Sequence, residues 1–238
     1  YVYQQGYDDY IINFAQLTQR AGNFLVSRNN ETDFTWDNVK GKTIIGGRAG
    51  GMPQMILEYI LKNNNIDISK DVNVIQNIDF GSTAAAFSSG TGDYTVEFEP
   101  SATILENEHA GYVTASLGVD SGFVPYTAYS AKKSYIEQNG DTILAFTKAI
   151  QKGLNFVNTH TAKETALVIA PQFPETDINS IEKIVERYLT QNTWKNNTIF
   201  EKDSFSLLTD ILDNAGELEG ETPYEKLVNT EFSIKVSE

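Results

Sequence analysis

An α/β fold with a mostly parallel sheet is predicted by three features of the first half of the chain. Short apolar or alternating segments, typical of strands, recur between residues 24 and 117. Segments whose apolar residues have helical spacing lie between them, and turns rich in glycine or asparagine separate the two kinds. Strands that alternate with helices of about 10–15 residues imply a mostly parallel sheet with helices on its faces.

The strand candidates are apolar, or rich in Thr, Val and aromatic residues, and are bounded by turn residues. They are 24–26, 42–47, 72–75, 93–98 and 112–117. After the second of them, Pro53 occupies a first-turn position that tolerates a missing N–H, and apolar residues follow at helical spacing up to Ile60. A short helix from Phe80 to Phe87 and another that begins at 99–101 complete the alternation.

The second half of the chain is predicted to be helical from residue 134 onward. Asp141 is expected to cap a helix whose apolar stripe runs from Ile143 to Val157. The segments 161–164, 179–182 and 222–225 match the capping box that starts many helices. Gly216 is expected as the left-handed cap of a helix over 203–214.

The composition excludes several classes of function. The 238 residues carry a net charge of -14, with 32 acidic and 18 basic side chains and no basic cluster. A nucleic acid partner is therefore not expected, and an anionic membrane surface would repel the chain. Such a charge keeps a protein soluble and monomeric, and we predict a monomer. Attraction of a cationic ligand is the alternative interpretation of this charge.

Residue types that build reactive or metal centres are scarce. The chain has no cysteine, which excludes disulfides, thiolate metal sites and cysteine nucleophiles. His109 and His160 are isolated, with no partner at metal-ligand spacing. No catalytic residue, metal site or cofactor is predicted. No apolar run approaches the roughly 20 residues of a membrane span.

The segment 46–53, GGRAGGMP, is the most informative candidate for a binding loop. Glycines at the end of a strand allow a sharp turn and a close approach to a ligand, and the next helix offers free N–H groups. The segment matches neither the phosphate loop nor the dinucleotide fingerprint. A structural turn is the alternative. Arg48 is a candidate for binding a carboxylate or sulfonate, or else a surface arginine.

Two carboxylates lie at the end of a predicted strand. Glu97 and Glu99 would share one face of it, and strand ends in open α/β sheets point toward the ligand crevice. In a binding site they would accept hydrogen bonds from amino groups, whereas catalysis would use them as acid and base. For Glu99 a third interpretation is a cap of the following helix.

Aromatic residues also fall near the predicted strand ends, where they would either stack on a planar ligand or pack in the core. They are Phe80, Tyr94, Phe98, Tyr126 and Tyr129.

Several of these segments together resemble one family. The segment 36–44, WDNVKGKTI, is similar to the family's Trp-x-x-(Leu/Val)-Lys-Gly-Lys-x-Ile pattern, and 46–53, 86–93 and 98–100 follow in the family's order and spacing. The family is the ABC-transporter solute-binding proteins for nitrate, alkanesulfonates, taurine or thiamine-pyrimidine precursors. The likeness is greatest to the thiamine-pyrimidine-synthase-like branch of Gram-positive bacteria and runs over about residues 1–160.

The resemblance implies the type II periplasmic-binding fold, in which two lobes joined by two crossing segments close on a ligand. It places lobe one at 1–33 and 121–238, lobe two at 34–120, and the crossings near 25–34 and 118–126. The family normally has about two more strand–helix units before the position of Tyr1, so lobe one is expected to be incomplete. The implied partners are a small-molecule ligand and a membrane permease. The implied location is extracytoplasmic, with a lipid anchor on a segment outside this sequence.

Carried over to this chain, the resemblance implies a set of cleft contacts from both lobes. Lobe two would contribute Gly47, Arg48, Ala49, Gly50, Gly51, Phe80 and Glu97, with Glu99 as a further candidate, and lobe one would contribute Thr18, Gln19 and Tyr126. Glu97 or Glu99 would favour an aminopyrimidine, and Arg48 a sulfonate. The alternative function is an enzyme on the same fold. Fungal thiamine-pyrimidine synthases need a cysteine-rich motif that this chain lacks, which leaves enzymes similar to those of the menaquinone pathway.

Overall fold

The computed structural model describes residues 2–237 and arranges seven strands of that range in two sheets. The strands are β1 (Ile11–Thr18), β2 (Asn23–Ser27), β3 (Thr43–Ile45), β4 (Asn73–Ile75), β5 (Tyr94–Phe98), β6 (Tyr112–Ser116) and β7 (Thr127–Lys132). Strands β2 to β6 coincide with the predicted segments, whereas β1 and β7 were not predicted.

The larger sheet has the order β4-β3-β5-β2-β6. Strand β3 is parallel to β4 and β5, whereas β2 is antiparallel to both β5 and β6. The smaller sheet is the antiparallel pair β1–β7. The predicted α/β class is confirmed, and the sheets are mixed: in the larger sheet β2 alone runs against the other four strands, whereas the smaller sheet is not parallel as expected.

The chain crosses between the two sheets twice. The first crossing is the short segment 19–22 between β1 and β2, and the second runs from the end of β6 to the start of β7. The second agrees with the predicted segment 118–126. The first lies earlier than the predicted 25–34, because residues 23–27 are all buried and form β2.

Helices cover both faces of the larger sheet and form most of the second half of the chain. They are α1 (Met52–Asn63), α2 (Phe80–Ser88), α3 (Ser101–Asn107), α4 (Leu117–Asp120), α5 (Lys133–Gln138), α6 (Gly140–Thr159), α7 (Ala162–Ile169), α8 (Ile178–Thr190), α9 (Lys202–Asn214), α10 (Tyr224–Leu227) and α11 (Glu231–Ser237). Single 3-10 turns lie at Trp36–Val39 and Ala170–Gln172.

The capping predictions succeed in part. The box at Thr161 and Glu164 forms, with the Thr161 N–H donating to the Glu164 carboxylate at 2.9 Å, and Gly216 has φ +73° just after α9. Helix α8, however, begins earlier than predicted, because Asp177 accepts the N–H groups of residues 179 and 180. Helix α6 likewise begins before Asp141, at residue 140.

The third predicted box, at 222–225, is not formed. Helix α10 follows Pro223, and no side chain caps it.

Two apolar clusters hold the larger sheet between helices. On one face Leu25, Ile44 and Val96 pack against α1. On the other face Phe24, Ile45 and further apolar side chains pack against α2 and α3. Helix α9 also packs on this first cluster through Ile211, whose side chain is 1% exposed. The predicted lobe boundaries stay a prediction, but β2 and α9 pack with the unit 34–120.

Candidate functional site: a cleft beside the glycine-rich loop

A cavity of about 370 Å³ lies where β3, β5 and the second crossing segment come together. Residues before and within the first turn of α1 form one side of it, the start of α2 forms another, and the last residue of the second crossing closes it. The lining residues are Arg48, Gly51, Met52, Pro53, Asp79, Phe80, Phe98 and Tyr126. The lining of the cavity thus comes from both the unit 34–120 and the part of the chain that follows it.

The glycine-rich loop is held to β4 and to α1 by its backbone. The N–H of Gly46 donates to Ile75 O at 3.0 Å, and the N–H of Gly50 donates to the Gln54 side chain at 2.9 Å. Gly47 has φ +85°, and a Cβ there would lie 2.5 Å from the Phe80 ring. A side chain at position 47 would therefore displace Phe80, so the residue must be glycine for both conformational and steric reasons.

Three aromatic rings form the wall of the cavity. Phe80 and Phe98 meet edge-on with centroids 5.6 Å apart, and Phe98 meets Tyr126 at 6.3 Å. Burial, and then the nearby Tyr188, raise the pKa of the Tyr126 phenol. Its hydroxyl has no hydrogen-bond partner within residues 2–237 and remains available to a ligand.

Arg48 supplies the cationic group at the mouth of the cavity. Its side chain is exposed and makes no ion pair or hydrogen bond with any residue of the range 2–237. It directly follows Gly47 in the middle of the loop 46–51 that leads from β3 to α1. An unpaired guanidinium beside three aromatic rings can bind an anionic group of a flat or apolar solute.

Glu97 lies on the face of β5 opposite to that of Phe98. It is 2% exposed, and the hydroxyls of Thr95 and Thr83 contact its two oxygens at 2.7 and 3.1 Å. Burial raises the pKa of this carboxyl, and the two hydroxyls oppose the shift. The Thr83 hydroxyl, which contacts Glu97, also lies 3.0 Å from Phe80 O at the start of α2. Glu97 therefore supports the first turn of α2 and does not line the cavity.

Glu99 follows the last residue of β5 and does not line the cavity. Its carboxylate forms an ion pair with Arg187 of α8 and accepts the Thr103 N–H at 3.0 Å. This geometry agrees with the capping interpretation, since Thr103 is in the first turn of α3. Glu99 also borders a separate apolar cavity of about 170 Å³, together with Tyr188 and Trp194.

Thr18 and Gln19 lie at the first crossing segment and do not line the cavity. The Gln19 side chain donates to Asn192 O at 3.1 Å and to Trp194 O at 3.3 Å. The Thr18 hydroxyl is buried without a hydrogen-bond partner among the described residues. Gln19 thus holds the segment 192–194 in place.

The two crossing segments touch each other next to these residues. A Cβ at Gly118 would lie 2.1 Å from Ala21 O, so the two backbones are in direct contact. Arg20 strengthens this contact, because its guanidinium donates to Gly118 O at 2.8 Å and lies 4.2 Å above the Phe123 ring.

The loop 90–93, which contributed to the family resemblance, has a structural role here. The Arg28 guanidinium donates to the carbonyls of Phe87, Thr91 and Gly92 at 2.8 to 3.1 Å. The Asp93 carboxylate accepts the Thr43 N–H at 2.9 Å. These contacts fix the turn between α2 and β5.

The structure thus brings part of the predicted set together. Arg48, Gly51, Phe80 and Tyr126 line one cavity, and Gly47, Ala49 and Gly50 belong to its loop without lining it. Glu97, Glu99, Thr18 and Gln19 lie outside it, and the ligand role of every one of these residues stays a prediction. Asp79 was not predicted as a site residue, although an acidic residue directly before a predicted helix is a common cap position.

Two sheets joined by two crossing segments, with a cavity beside the second crossing, give this chain the fold of the periplasmic binding proteins. The chain belongs to the NMT1-like family, whose model matches residues 17–170. It is 47% identical over 237 residues to a Bacillus subtilis (strain 168) protein named "Putative binding protein YtlA", covering 100% of this chain and 71% of that protein. The predicted family and the class of binding protein rather than enzyme are thereby confirmed.

Solved structures show the same fold. The ligand-binding component of an ABC-type import system from Staphylococcus aureus superposes with a TM-score of 0.72 at 13% identity, over 99% of this chain and 77% of the other. The periplasmic aliphatic sulphonate-binding protein SsuA from Escherichia coli superposes with a TM-score of 0.70 at 15% identity, over 95% and 75%. No helix within residues 2–237 is long and apolar enough to span a membrane.

Proposed function

We propose that this chain is the solute-binding component of an ABC importer, which captures a small molecule outside the membrane and delivers it to a permease. Its similarity to YtlA and its shared fold with importer components support this role. We further propose that it acts as a monomer and that a lipid-anchored segment outside this sequence holds it at the membrane.

The proposed ligand is a small flat heterocycle of the thiamine-pyrimidine precursor class. The observation that carries this proposal is the aromatic wall, since Phe80, Phe98 and Tyr126 line most of one side of the cavity. Aromatic rings bind planar ligands through their faces and edges at small entropic cost. A ring held between Phe80 and Tyr126 would also contact both predicted lobes.

A small sulfonate is the second candidate, and Arg48 is the observation that favours it. An unpaired guanidinium with donors in a fork matches the oxygens of a sulfonate. The glycine-rich loop and the first turn of α1 adjoin this group and would add backbone donors. The fold shared with a sulphonate-binding protein is consistent with this candidate.

In either case the ligand would favour the closed arrangement of the two lobes. Closure requires contacts that exist in one arrangement and not in the other. Phe98 belongs to β5 and Tyr126 ends the second crossing, so a ligand inserted between their rings would make such contacts. The permease would then distinguish loaded from empty protein.

Thermal unfolding in the presence of 4-aminopyrimidine, ethanesulfonate, taurine or nitrate tests the proposal. A ligand at 100 times its Kd stabilises the folded protein by about 2.7 kcal/mol, which corresponds to a rise in Tm of about 5 to 10 °C for a chain of this size. Arg48→Gln should abolish the effect of ethanesulfonate and leave that of 4-aminopyrimidine, and the exposed Lys148→Gln serves as the control. If no member of the panel stabilises the wild-type protein, the proposed ligand classes are wrong.

A further inference from the structure

The side chain of Asn23 is the least satisfied polar group in the described part of the chain. It is 0% exposed, yet neither its amide nitrogen nor its amide oxygen has a hydrogen-bond partner among residues 2–237. The other residues with such buried atoms each leave one atom unpaired: Thr18, Arg20, Thr114, Ser121, Thr165 and Thr198. A buried unpaired donor or acceptor costs about 1–3 kcal/mol, so such a group in a native protein needs an explanation.

The position of Asn23 places it next to the aromatic wall. Asn23 begins β2 directly after the first crossing segment, and its partner in the antiparallel register is Phe98. Directly opposite residues point to the same face of a sheet. Phe98 lines the cavity and contacts both Phe80 and Tyr126. The amide is therefore one side chain away from the cavity, on the side where the two crossing segments meet.

We propose that the Asn23 carboxamide is a specificity-determining ligand contact at the floor of the cleft, and that its ligand presents a hydrogen-bond donor beside an acceptor. A ligand that separates the rings of Phe98 and Tyr126 reaches this amide. The inference rests on the proposed solute-binding function and decides between its two ligand classes.

The chemistry of the carboxamide favours an amino-substituted nitrogen heterocycle. An asparagine offers both an NH₂ donor and a carbonyl acceptor in one plane. The amino group and the adjacent ring nitrogen of such a heterocycle complement both, in the same way as asparagine binds the edge of adenine. A sulfonate has acceptors only and would leave the Asn23 carbonyl unpaired.

Calorimetric titrations with 4-aminopyrimidine, 4-methylpyrimidine and ethanesulfonate test the inference. The wild-type protein should bind the amino compound more tightly than the methyl compound. Asn23→Leu should weaken binding of the amino compound by about 5- to 150-fold, the range for a two-point amide contact, and should remove the preference over the methyl compound. Thr114→Val, which removes an unpaired buried hydroxyl elsewhere in the same sheet, should change neither.

The stability of the ligand-free variant provides a second readout. Replacing an unpaired amide with an apolar side chain of similar size should leave Tm unchanged or raise it. A large fall in Tm for Asn23→Leu would mean that the amide is bonded within the protein, and the inference would be wrong. If that variant does not fold, the wild-type preference decides, because equal affinity for the amino and methyl compounds overturns the inference.

Failure of the inference can be distinguished from failure of the proposed function. Binding of 4-aminopyrimidine that is equal in the wild-type protein and Asn23→Leu overturns the inference alone. Binding of ethanesulfonate without binding of 4-aminopyrimidine also overturns it, while the solute-binding function remains. The absence of binding to every compound overturns both.

Discussion

Gly47→Ala should narrow the cleft and destabilise the protein, because this glycine meets two separate requirements. Its φ of +85° is costly for residues with a side chain, and its Cβ would lie 2.5 Å from Phe80 Cζ. The ring would have to retreat by about 1 Å to reach an ordinary carbon contact. Phe98 packs edge-on against the same ring, with centroids 5.6 Å apart, so a shift of Phe80 perturbs the aromatic wall.

Substitutions at two other glycines separate the backbone cost of a side chain at position 47 from its steric cost. Gly90 has φ +104° with no atom within 4 Å of a built Cβ, so Gly90→Ala should show the backbone cost alone, about 1–2 kcal/mol. Gly81 is helical and equally open, so Gly81→Ala should stabilise by about 0.5–1 kcal/mol. Gly47→Ala should add an overpacking cost of about 1–3 kcal/mol to the backbone cost.

Denaturant unfolding of the three variants and the wild-type protein measures these differences, and a binding titration with the preferred ligand accompanies it. We expect the free energy of unfolding to fall in the order Gly81→Ala, wild type, Gly90→Ala, Gly47→Ala. Only Gly47→Ala should weaken binding, since residue 81 does not line the cavity and residue 90 lies at the far end of α2.

The reasoning would be refuted by either of two results. Equal stability of Gly47→Ala and Gly90→Ala would show that Phe80 yields without cost. Unchanged binding by Gly47→Ala would show that the position of the Phe80 ring does not matter to the ligand.

Three further predictions test other parts of the structure. Gly118→Ala would place a Cβ 2.1 Å from Ala21 O, so it should force the crossing segments apart and lower the free energy of unfolding by about 1–3 kcal/mol in denaturant titrations; an unchanged value would contradict this contact. Arg187→Met leaves the Glu99 carboxylate buried and unpaired, which should cost about 3–5 kcal/mol by the same assay, and Glu99→Gln in the same chain should recover part of the loss. Burial raises the pKa of Glu97 above its ordinary 4.5, so unfolding releases its proton and the wild-type protein loses stability as pH rises from about 4.5 through the higher folded pKa. Glu97→Gln should therefore be more stable than the wild-type protein at pH 7 and equal to it near pH 4, and a difference independent of pH would contradict the shift.

The strands of the larger sheet could be predicted because each is short, apolar and bounded by turn residues. The pair β1–β7 could not, since β7 (TAYSAK) carries little apolar signal and its partner lies more than 100 residues earlier. The direction of β2 was equally hidden, because it depends on where the chain crosses between sheets and not on local composition. Local patterns report burial, whereas strand order and direction depend on distant pairing.

The residues of the candidate site also fall into those that local sequence patterns indicate and those that depend on distant contacts. Arg48 and Phe80 could be found from the sequence because a glycine-rich turn and a helix start mark their loops. Glu97 and Glu99 could not be assigned, since the alternation ends at Phe98 and the partner of Glu99 is Arg187, 88 residues later. Asn23 could not be predicted at all, because the burial and the missing hydrogen bonds of its amide follow only from the strands and helices that pack around β2.

Contacts of different kinds hold the chain on the two sides of the crossing segments, and this difference determines how the cleft can open. On one side Arg187 binds Glu99, and the Tyr188 hydroxyl donates to Gly22 O at 2.9 Å, so α8 is tied to both the first crossing segment and α3. Breaking the ion pair would leave a buried charge, which is costly. On the cavity side, Phe98 and Tyr126 meet only through their rings. Such a contact is worth about 0.5–1.5 kcal/mol beyond the area it buries, and a planar ligand inserted between the rings replaces it. Opening should therefore begin at the aromatic wall while α8 moves with the unit 34–120.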